Sequence, residues 1–502
     1  MAVVIAVDAG TTGVRALAVG DEGAPRGWSY REFTQHFPRP GWVEHDAAEI
    51  WRSVQTTLAE LTAALDEPVA AIGITNQRET VVAWDRRTGR PRHRAIVWQD
   101  RRTARRCDEL AEAGHLTLVR ATTGLVLDPD FPASKVEWLL TEGGVDAGPD
   151  LAVGTIDSWL LWNLTGGAAE GPGDGSGGGV HATEASNASS TMLFDIGALR
   201  WSSELCDLFG VPVDALADVR PSSVRFGTTA GGGGIPAGVP VSGIVGDQQA
   251  ALFGHACFAP WMTKNTYCTG SFVLMNAGPS CPEPVDGLLT TVAWTLADGT
   301  TAYAYEGSIF ATGSAVQWLR DGLGIIADAA EVGPLAESCA DTGGVVVVPA
   351  FTCLGSPWWD PYARATIVGI TRGTGRAELA RAVVEAMAHQ TRDVVDAMTA
   401  ACGHPVTGLR VDGGASVMDL LLQVQADQLQ VPVVRPTTLE TTALGAAYLA
   451  GLAEGVWGSL DELARHWTLD SEAVPAVSRS GADTRHRQWR RAVERSRRWV
   501  TA

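Results

Sequence analysis

Lysine is nearly absent from this 502-residue chain: of its 38 basic residues only two, Lys135 and Lys264, are lysines. Neither of them ends a Gly-x-x-x-x-Gly-Lys loop, the motif that cradles phosphates in P-loop nucleotide-binding proteins. The sequence therefore excludes a P-loop site. Backbone N–H groups, a metal ion or a few arginines would have to hold any bound phosphate instead.

Positive charge is scarce in general, because 57 acidic residues outnumber the basic ones and give a formal net charge of −19. An acidic surface repels the phosphate backbone of nucleic acids and the anionic face of a membrane. We therefore expect neither nucleic acid nor a membrane as the main partner.

The eight cysteines are scattered and include no Cys-x-x-Cys pair. This pattern excludes a disulfide framework and the usual zinc sites, and it favours a reducing compartment. Apolar runs such as Gly344–Val348 are too short to cross a membrane. The first residues, Met1–Ile5, lack the basic region of a signal peptide. We expect a cytoplasmic protein.

The length of the chain exceeds what one ordinary core accommodates, so two domains are expected. Short apolar runs between turns predict strands at Val3–Val7, Arg15–Val19, Ala70–Thr75, Val81–Trp84, Val239–Val245 and Gly408–Asp412, and two more within Asn265–Leu274, on either side of the turn Cys268–Ser271. Helical spacing predicts helices over Asp46–Leu65, Thr103–Ala113 and Arg376–Met398. Both halves open with a strand, a Gly/Thr turn and a strand. We predict a duplicated α/β fold with domains 1–250 and 251–502, a cleft between them, and a flexible insertion at Gly166–Val180.

A tight turn, Asp8-Ala9-Gly10-Thr11-Thr12-Gly13, separates the first two predicted strands. Its glycines let N–H groups approach phosphate oxygens, and its threonine hydroxyls add donors. The aspartate at the strand end has the chemistry to hold a hydrated magnesium ion. A plain hairpin turn is an equally good interpretation of this motif alone. Two similar turns follow at Thr269-Gly270-Ser271 and Asp412-Gly413-Gly414-Ala415. Taken singly, each is better interpreted as an ordinary turn.

Two polar pairs follow predicted strands and suit the handling of hydroxyl groups. In Asp247-Gln248, the carboxylate can accept a proton from a hydroxyl while the amide orients a neighbouring one. In Arg78-Glu79, a donor fork lies beside an acceptor. Adjacent Arg and Glu are more often ordinary surface charges, so the second pair alone is weak support for a site.

Longer stretches lie in order along the chain at Pro40–Asp46, Ile72–Thr80, Ile96–Arg102, Gly154–Leu160, Gly246–Gly254, Asp360–Arg364 and Thr442–Gly451. Together with the turns, they resemble the glycerol kinase branch of the FGGY carbohydrate kinases, within the actin-like ATPase superfamily. The resemblance extends from Asp8 to about Trp457. It implies two actin-like, ribonuclease H-like domains, the first binding the polyol and phosphates and the second the nucleotide.

The resemblance also implies ATP-dependent phosphorylation of a small polyol, with glycerol as the leading substrate, Mg²⁺ as cofactor and a homodimer or homotetramer as the assembly. It implies Asp247 as the catalytic base, and Asp8 and Asp247 beside the magnesium ion. It places the polyol against Arg78, Glu79, Asp130, Asp247, Gln248 and Phe272. It places ATP against Thr11, Thr12, Arg15, Thr269, Gly270, Gly313, Gln317, Gly414 and Met418.

Four sites depart from the family's pattern. Asp130 stands where the family's glycerol kinases carry a tyrosine that gives a hydroxyl to the polyol pocket. A carboxylate is shorter and could reach an extra hydroxyl of a larger polyol. Ala9 replaces a glutamine, Met418-Asp419 replaces two asparagines, and Cys268 replaces a glycine, which would crowd its turn if φ were positive.

Because of Asp130, a tetritol, dihydroxyacetone or a ketose such as a pentulose remains an alternative substrate. A non-catalytic nucleotide-binding protein of the same superfamily is a third, less favoured interpretation, because Asp8 and Asp247 are both retained.

Overall fold

The computed structural model describes residues 2–168 and 178–500. Most of the predicted insertion, 169–177, lies outside the described residues. The strands are β1 (Val3–Ala9), β2 (Gly13–Val19), β3 (Pro25–Glu32), β4 (Gln35–His36), β5 (Glu44–His45), β6 (Val69–Asn76), β7 (Val81–Asp85), β8 (Ala95–Ile96), β9 (Leu151–Thr155), β10 (Ala182–Glu184), β11 (Phe194–Asp195), β12 (Arg200–Trp201), β13 (Asp218–Arg220), β14 (Ser223–Thr228), β15 (Pro240–Gly246), β16 (Thr263–Tyr267), β17 (Ser271–Gly278), β18 (Leu289–Thr295), β19 (Thr301–Ile309), β20 (Val346–Val348), β21 (Thr366–Val368), β22 (Leu409–Asp412), β23 (Val433–Pro436) and β24 (Leu469–Ala473).

The α-helices are α1 (Ala47–Ala64), α2 (Ala104–Glu112), α3 (Leu116–Thr123), α4 (Pro132–Thr141), α5 (Ile156–Leu164), α6 (Ala185–Ser189), α7 (Ser203–Leu208), α8 (Asp247–Gly254), α9 (Gly313–Gln317), α10 (Val332–Glu337), α11 (Arg376–Cys402), α12 (Asp419–Leu429), α13 (Thr441–Ala453), α14 (Leu460–His466) and α15 (Arg479–Ser496). One π-helical turn, Trp318–Gly322, continues α9. Within the described ranges, no helix combines the length and the apolar character needed to cross a membrane.

Two large sheets are built on the same plan. The first has the strand order β14-β15-β6-β1-β2-β3, and the second has the order β18-β19-β17-β16-β22-β23-β24. In the first sheet β1 pairs antiparallel with β2 and parallel with β6. In the second sheet β16 pairs antiparallel with β17 and parallel with β22 in the same way. This repetition confirms the predicted duplicated α/β architecture.

The local elements follow from the sequence patterns. Helix α1 begins where the Asp46 side chain accepts hydrogen bonds from the N–H groups of Ala48 and Glu49, at 2.8 and 3.2 Å. Such a cap satisfies donors that have no partner inside the helix. The apolar positions then recur every three or four residues and bury one face of the helix against β2 and β3.

Helices α8 and α13 cross between the two sheets. Helix α13 comes from the end of the chain, but it packs on β6, β15 and β1 of the first sheet. The crossing is so close that a Cβ atom at Gly254 would collide with the carbonyl oxygen of Thr441, and one at Gly445 with that of Ala250. Only glycine allows backbones to approach to this degree.

A common apolar cluster surrounds this crossing and joins the two halves. Its buried members come from strands of both sheets and from α8 and α13, and they include Val4, Leu17, Val245, Phe253, Leu274, Trp294, Ala304, Leu444 and Tyr448. The two sheets are therefore joined through a shared apolar core. The division near residue 250 stays a prediction, since α13 packs on the first sheet.

Candidate active site

A cavity of about 260 Å³ lies where the ends of the two large sheets meet. Its walls come from the turn after β1, the end of β6, the start of α8, the turn after β16 and strand β19. The predicted residues that line it are Asp8, Thr11, Thr12, Arg78, Glu79, Asp130, Asp247, Gln248, Thr269, Gly270 and Phe272. The fold thus brings together residues as far apart in the sequence as Asp8 and Phe272, although their roles stay predictions.

The turn at residues 8–13, the first of the two turns predicted to bind phosphate, is held by side chains on its carbonyl groups. Gln77 Nε2 donates to the carbonyl oxygen of Gly10 at 3.0 Å, and Gln35 Nε2 donates to that of Thr11 at 2.8 Å. The described residues provide no acceptor for the N–H groups of Gly10, Thr11 and Thr12. These unpaired donors border the cavity, which is the arrangement that binds phosphate oxygens.

The second turn predicted to bind phosphate, at residues 268–271, is held by the start of α9. The N–H of Gly313 donates to the carbonyl oxygen of Cys268 at 3.0 Å, and the N–H of Cys268 donates to that of Gly270 at 2.7 Å. A Cβ atom at Gly270 would collide with the Ile309 carbonyl, so this position requires glycine. Cys268 does not have a positive φ, and the strain considered for a side chain there does not arise.

Arg15, a further predicted ATP contact, lies outside the cavity on β2. Its guanidinium pairs with Glu440 and lies 5.8 Å from the ring centroid of Trp28 and 5.7 Å from that of Tyr30. These contacts hold the arginine at the rim of the first turn.

The remaining predicted nucleotide contacts also lie outside the cavity, around the second sheet. Gly313 begins α9, and Gln317 is exposed at its end. Gly414 is exposed after β22, and the half-buried Met418 caps the start of α12. Of these residues, Gly313 contacts Cys268 of the second turn, and Gly414 follows β22, which pairs with β16.

Arg78 is the most heavily engaged side chain of the site. Its two terminal nitrogens donate to the two carboxylate oxygens of Glu306, at 2.7 and 2.6 Å. Its Nε lies 3.3 Å from Asp247 Oδ1 and 3.5 Å from Glu79 Oε1. The fork expected to face hydroxyls beside Glu79 is therefore held mainly by Glu306, and Arg78 connects three carboxylates.

Acidic groups outnumber basic ones in the cavity, and burial disfavours their charge. Burial raises the pKa of Asp8 to about 7, and the nearby Asp247 carboxylate adds to the rise. Burial likewise raises the pKa of Asp247, against the opposing charges of Arg78 and Lys264. Burial raises the pKa of Glu79 well above its ordinary value. Such shifts are typical of sites that bind cations or move protons.

Asp130 lines the cavity, in a loop held by Lys135. The Lys135 ammonium donates to the carbonyl oxygens of Asp130 and Glu79, the latter at 3.0 Å. Glu79 has a φ of 64°, a left-handed conformation that costs free energy and is often found at functional sites. Burial raises the pKa of the Asp130 carboxyl to about 7. Lys135 therefore holds the backbone of two predicted polyol contacts.

In the cavity, the side chains that could bind magnesium through oxygen are a few carboxylates. In the described part of the chain no group of three or more His, Cys, Asp or Glu residues converges as a metal cage. The Asp247 carboxylate adds to the rise that burial causes in the pKa of Asp8. Mg²⁺ is commonly bound by one or two carboxylates together with substrate phosphates and water, and this acidic pair fits that pattern.

Several cavity residues were not anticipated from the sequence. They are Gln77, Trp98, Leu125, Phe131, Lys264, Thr266, Glu306 and Ser308, of which all but Lys264 line the cavity directly. Trp98 donates from Nε1 to Thr11 Oγ1 at 2.9 Å and meets Phe272 edge to face, with ring centroids 6.4 Å apart. A lone acid within the apolar strand β19 was the one available signal for Glu306.

Family models match both halves of the chain. Residues 3–254 match the N-terminal domain of the FGGY family of carbohydrate kinases, and residues 263–454 match its C-terminal domain.

Curated relatives and solved structures match over nearly the whole length. The chain is 51% identical to a glycerol kinase of Aromatoleum aromaticum and 52% identical to one of Trichlorobacter lovleyi, each over 100% of both chains. The crystal structure of Plasmodium falciparum glycerol kinase with ADP superposes with a TM-score of 0.90 at 32% identity, covering 100% of this chain and 99% of that one. A xylulose kinase of Lactobacillus acidophilus, at 19% identity, covers 98% and 97% with a TM-score of 0.85 and shows the shared fold.

Proposed function

The chain belongs to the FGGY family of carbohydrate kinases, and we propose that it transfers the γ-phosphoryl group of ATP to glycerol, forming sn-glycerol 3-phosphate. The observation that carries the choice of substrate is the identity of about 50% with glycerol kinases over the full length of both chains. The enzyme is an ATP-dependent phosphotransferase acting on an alcohol group.

Asp247 is proposed as the general base. It lines the cavity at the start of α8, and its raised pKa makes its carboxylate a stronger proton acceptor than an ordinary aspartate. The terminal hydroxyl oxygen attacks the γ-phosphorus as its proton passes to Asp247. The bond between the γ-phosphorus and the bridging oxygen breaks, and ADP leaves.

The two phosphate turns are proposed to hold the phosphoryl groups from opposite sides. The free N–H groups of Gly10, Thr11 and Thr12 face the cavity on one side, and Thr269 and Gly270 line it on the other. Such preorganised donors stabilise negative charge without reorganising during the reaction.

Asp8 and Asp247 are proposed as the residues beside magnesium. The ion would offset charge on the phosphoryl oxygens when it is bound with ATP. Burial raises the pKa of Asp8 and the nearby Asp247 carboxylate adds to the rise. This second contribution supports the assignment, since a divalent cation relieves repulsion between two carboxylates.

The polyol is proposed to lie between polar and apolar walls. Glu79 and Gln248 offer an acceptor and an amide to its hydroxyls, while Arg78 is oriented by Glu306. Phe272, packed edge to face on Trp98, provides an apolar surface for the carbon chain. Gly313, Gln317, Gly414 and Met418 are proposed to border the nucleotide in the second domain.

The substrate is tested by ADP release from the purified protein with Mg-ATP and a panel of glycerol, erythritol, threitol, dihydroxyacetone, xylulose and ribulose. The expected result is the highest kcat/KM for glycerol, because discrimination among substrates is set by this ratio. A preference for a four- or five-carbon substrate would overturn glycerol and make Asp130, which lines the cavity, the residue that selects a larger polyol.

We further propose a cytoplasmic enzyme that forms a homodimer or homotetramer. All eight cysteines lie in the described part of the chain and are free thiols there, which suits a reducing compartment. The exposed aromatic side chains of Trp28 and Phe37 are of the kind enriched at protein interfaces. Light scattering after size-exclusion chromatography tests the assembly.

A further inference from the structure

The two lysines of the chain both lie fully buried beside the cavity. Lys135 and Lys264 each have 0% exposure, although basic side chains are normally found at the surface. Elsewhere the chain meets its need for positive charge with arginine alone. A lysine retained at two such positions points to a requirement for the compact ammonium group with its three donors.

The ammonium group of Lys264, on β16, has three acceptors for its three hydrogens. It donates to Gln248 Oε1 at 2.7 Å, to Thr266 Oγ1 at 2.9 Å and to the carbonyl oxygen of Phe272 at 3.2 Å. This tripod spans both halves of the molecule, because Gln248 belongs to α8 and the other two acceptors lie on β16 and β17.

The contact fixes which way the Gln248 amide points. An ammonium group only donates hydrogen bonds, so the atom facing Lys264 must be the amide oxygen. Gln248 is buried and lines the cavity, and its Nε2 has no acceptor among the described residues. The amide therefore presents its NH₂ group as a free donor next to Asp247.

We propose that Lys264 is a positioning residue that holds the Gln248 amide with its NH₂ group toward the polyol, so that an acceptor hydroxyl of the substrate is fixed beside Asp247. The inference rests on the proposed function, because it assigns this role within the polyol pocket. Without the ammonium, the amide is free to rotate, and either end can face the substrate.

Arginine would not replace this lysine. Its planar group carries five N–H donors, whereas the site offers Lys264 three acceptors in a tripod. The surplus N–H groups would be buried without partners, which costs free energy. The site therefore excludes the residue that the chain otherwise uses for positive charge.

The test is steady-state kinetics of Lys264→Met, which keeps the length of the side chain and removes the ammonium. The expected result is a rise of about tenfold in KM for glycerol, equivalent to one lost hydrogen bond of about 1.4 kcal/mol, with KM for ATP changed less than about twofold. Lys264→Arg should not restore the wild-type value. Equal effects on both KM values, or none, would overturn the positioning role.

A double-mutant cycle shows whether Lys264 acts through Gln248. In a Gln248→Ala background, Lys264→Met should raise KM for glycerol less than about twofold further, because the interaction is already lost. Full additivity of the two changes would overturn the inference. If Lys264→Met fails to fold, Thr266→Val removes one acceptor while keeping the charge, and it should give a smaller rise confined to glycerol. An unchanged KM for glycerol in that variant would also count against the role.

Failure of the proposed function can be distinguished from failure of the positioning role. If the wild-type protein releases no ADP in response to any polyol, the function is overturned before Lys264 is tested. If wild-type turnover depends on glycerol while Lys264→Met behaves as wild type, only the positioning role is lost.

Discussion

Arg78 and Glu306 are joined by two hydrogen bonds of 2.7 and 2.6 Å between residues 228 positions apart in the sequence. Arg78 follows the last strand residue of β6 in the first sheet, and Glu306 lies within β19 of the second. Both side chains are buried, with exposures of 6% and 2%. The ion pair is thus a direct polar connection between the two halves at the cavity.

Glu306→Gln should destabilise the protein by about 3–5 kcal/mol, because removing one partner leaves a buried charge poorly compensated. It should also weaken glycerol binding, since Arg78 loses its orientation. Chemical denaturation and KM for glycerol measure the two effects. The matched control is Glu22→Gln, which breaks an exposed pair with Arg26 and should cost less than about 1 kcal/mol. Equal stability of the two variants would contradict the structural role of the buried pair.

Asp247→Asn should lower kcat by a factor of about 10² or more, because the amide cannot accept the hydroxyl proton. The substitution keeps the volume of the side chain, so ATP binding measured by calorimetry should persist. Turnover close to that of the wild type would show that another group accepts the proton.

Asp130→Tyr should raise the ratio of kcat/KM for glycerol to that for erythritol, because the larger ring fills space in the cavity that Asp130 borders. The measurement compares the two substrates in wild type and variant under the same conditions. An unchanged ratio would show that Asp130 does not select the substrate.

Asp130→Asn should gain stability relative to the wild type as pH rises. Burial raises the pKa of Asp130 from 3.8 to about 7, so the folded state binds a proton more tightly than the unfolded state. The stability that this proton contributes is fully present below about pH 4 and is lost as pH rises through 7. Chemical denaturation at pH 5 and pH 8 should show the difference shifting toward the Asn variant by about 2–3 kcal/mol. A difference independent of pH would contradict the raised pKa.

Gly413→Ala and Gly414→Ala should have different effects. Gly413 has a φ of 82°, and a Cβ atom there would collide with the Tyr267 carbonyl, so alanine should reduce the melting temperature. At Gly414 nothing lies within 4 Å of an added Cβ atom, so alanine should leave the melting temperature unchanged. Because the nucleotide is proposed to lie beside Gly414, the added methyl group of Gly414→Ala should raise KM for ATP. A KM for ATP equal to that of the wild type would place the nucleotide elsewhere.

The elements of the fold could be predicted because their determinants are local. The turn Asp8–Gly13 and the capped start of α1 are each set by a few neighbouring residues. The packing of α13 on the first sheet could not be predicted, because it depends on close contacts at Gly254 and Gly445, almost 200 residues apart.

Site residues could be predicted where a sequence motif contains them. They were missed where their role depends on a side-chain contact with a distant residue. The cavity collects the residues of both phosphate turns and of the pairs Arg78-Glu79 and Asp247-Gln248. Glu306 was missed, since a single acid in a strand does not reveal which side chain it will meet. Conversely, Cys268 stands where the family has a glycine, and it causes no backbone strain because its φ is not positive. The sequence alone does not give that φ.

The burial of Lys135 and Lys264 leaves the folded surface without a lysine amine. Acylating reagents can therefore modify these two side chains only during moments when the cavity opens, and their rate of modification measures how often that happens. Because ATP and glycerol are proposed to occupy this cavity, both ligands together should slow the reaction more than either alone. In this protein, the rate of lysine acylation thus reports the frequency at which the cleft opens.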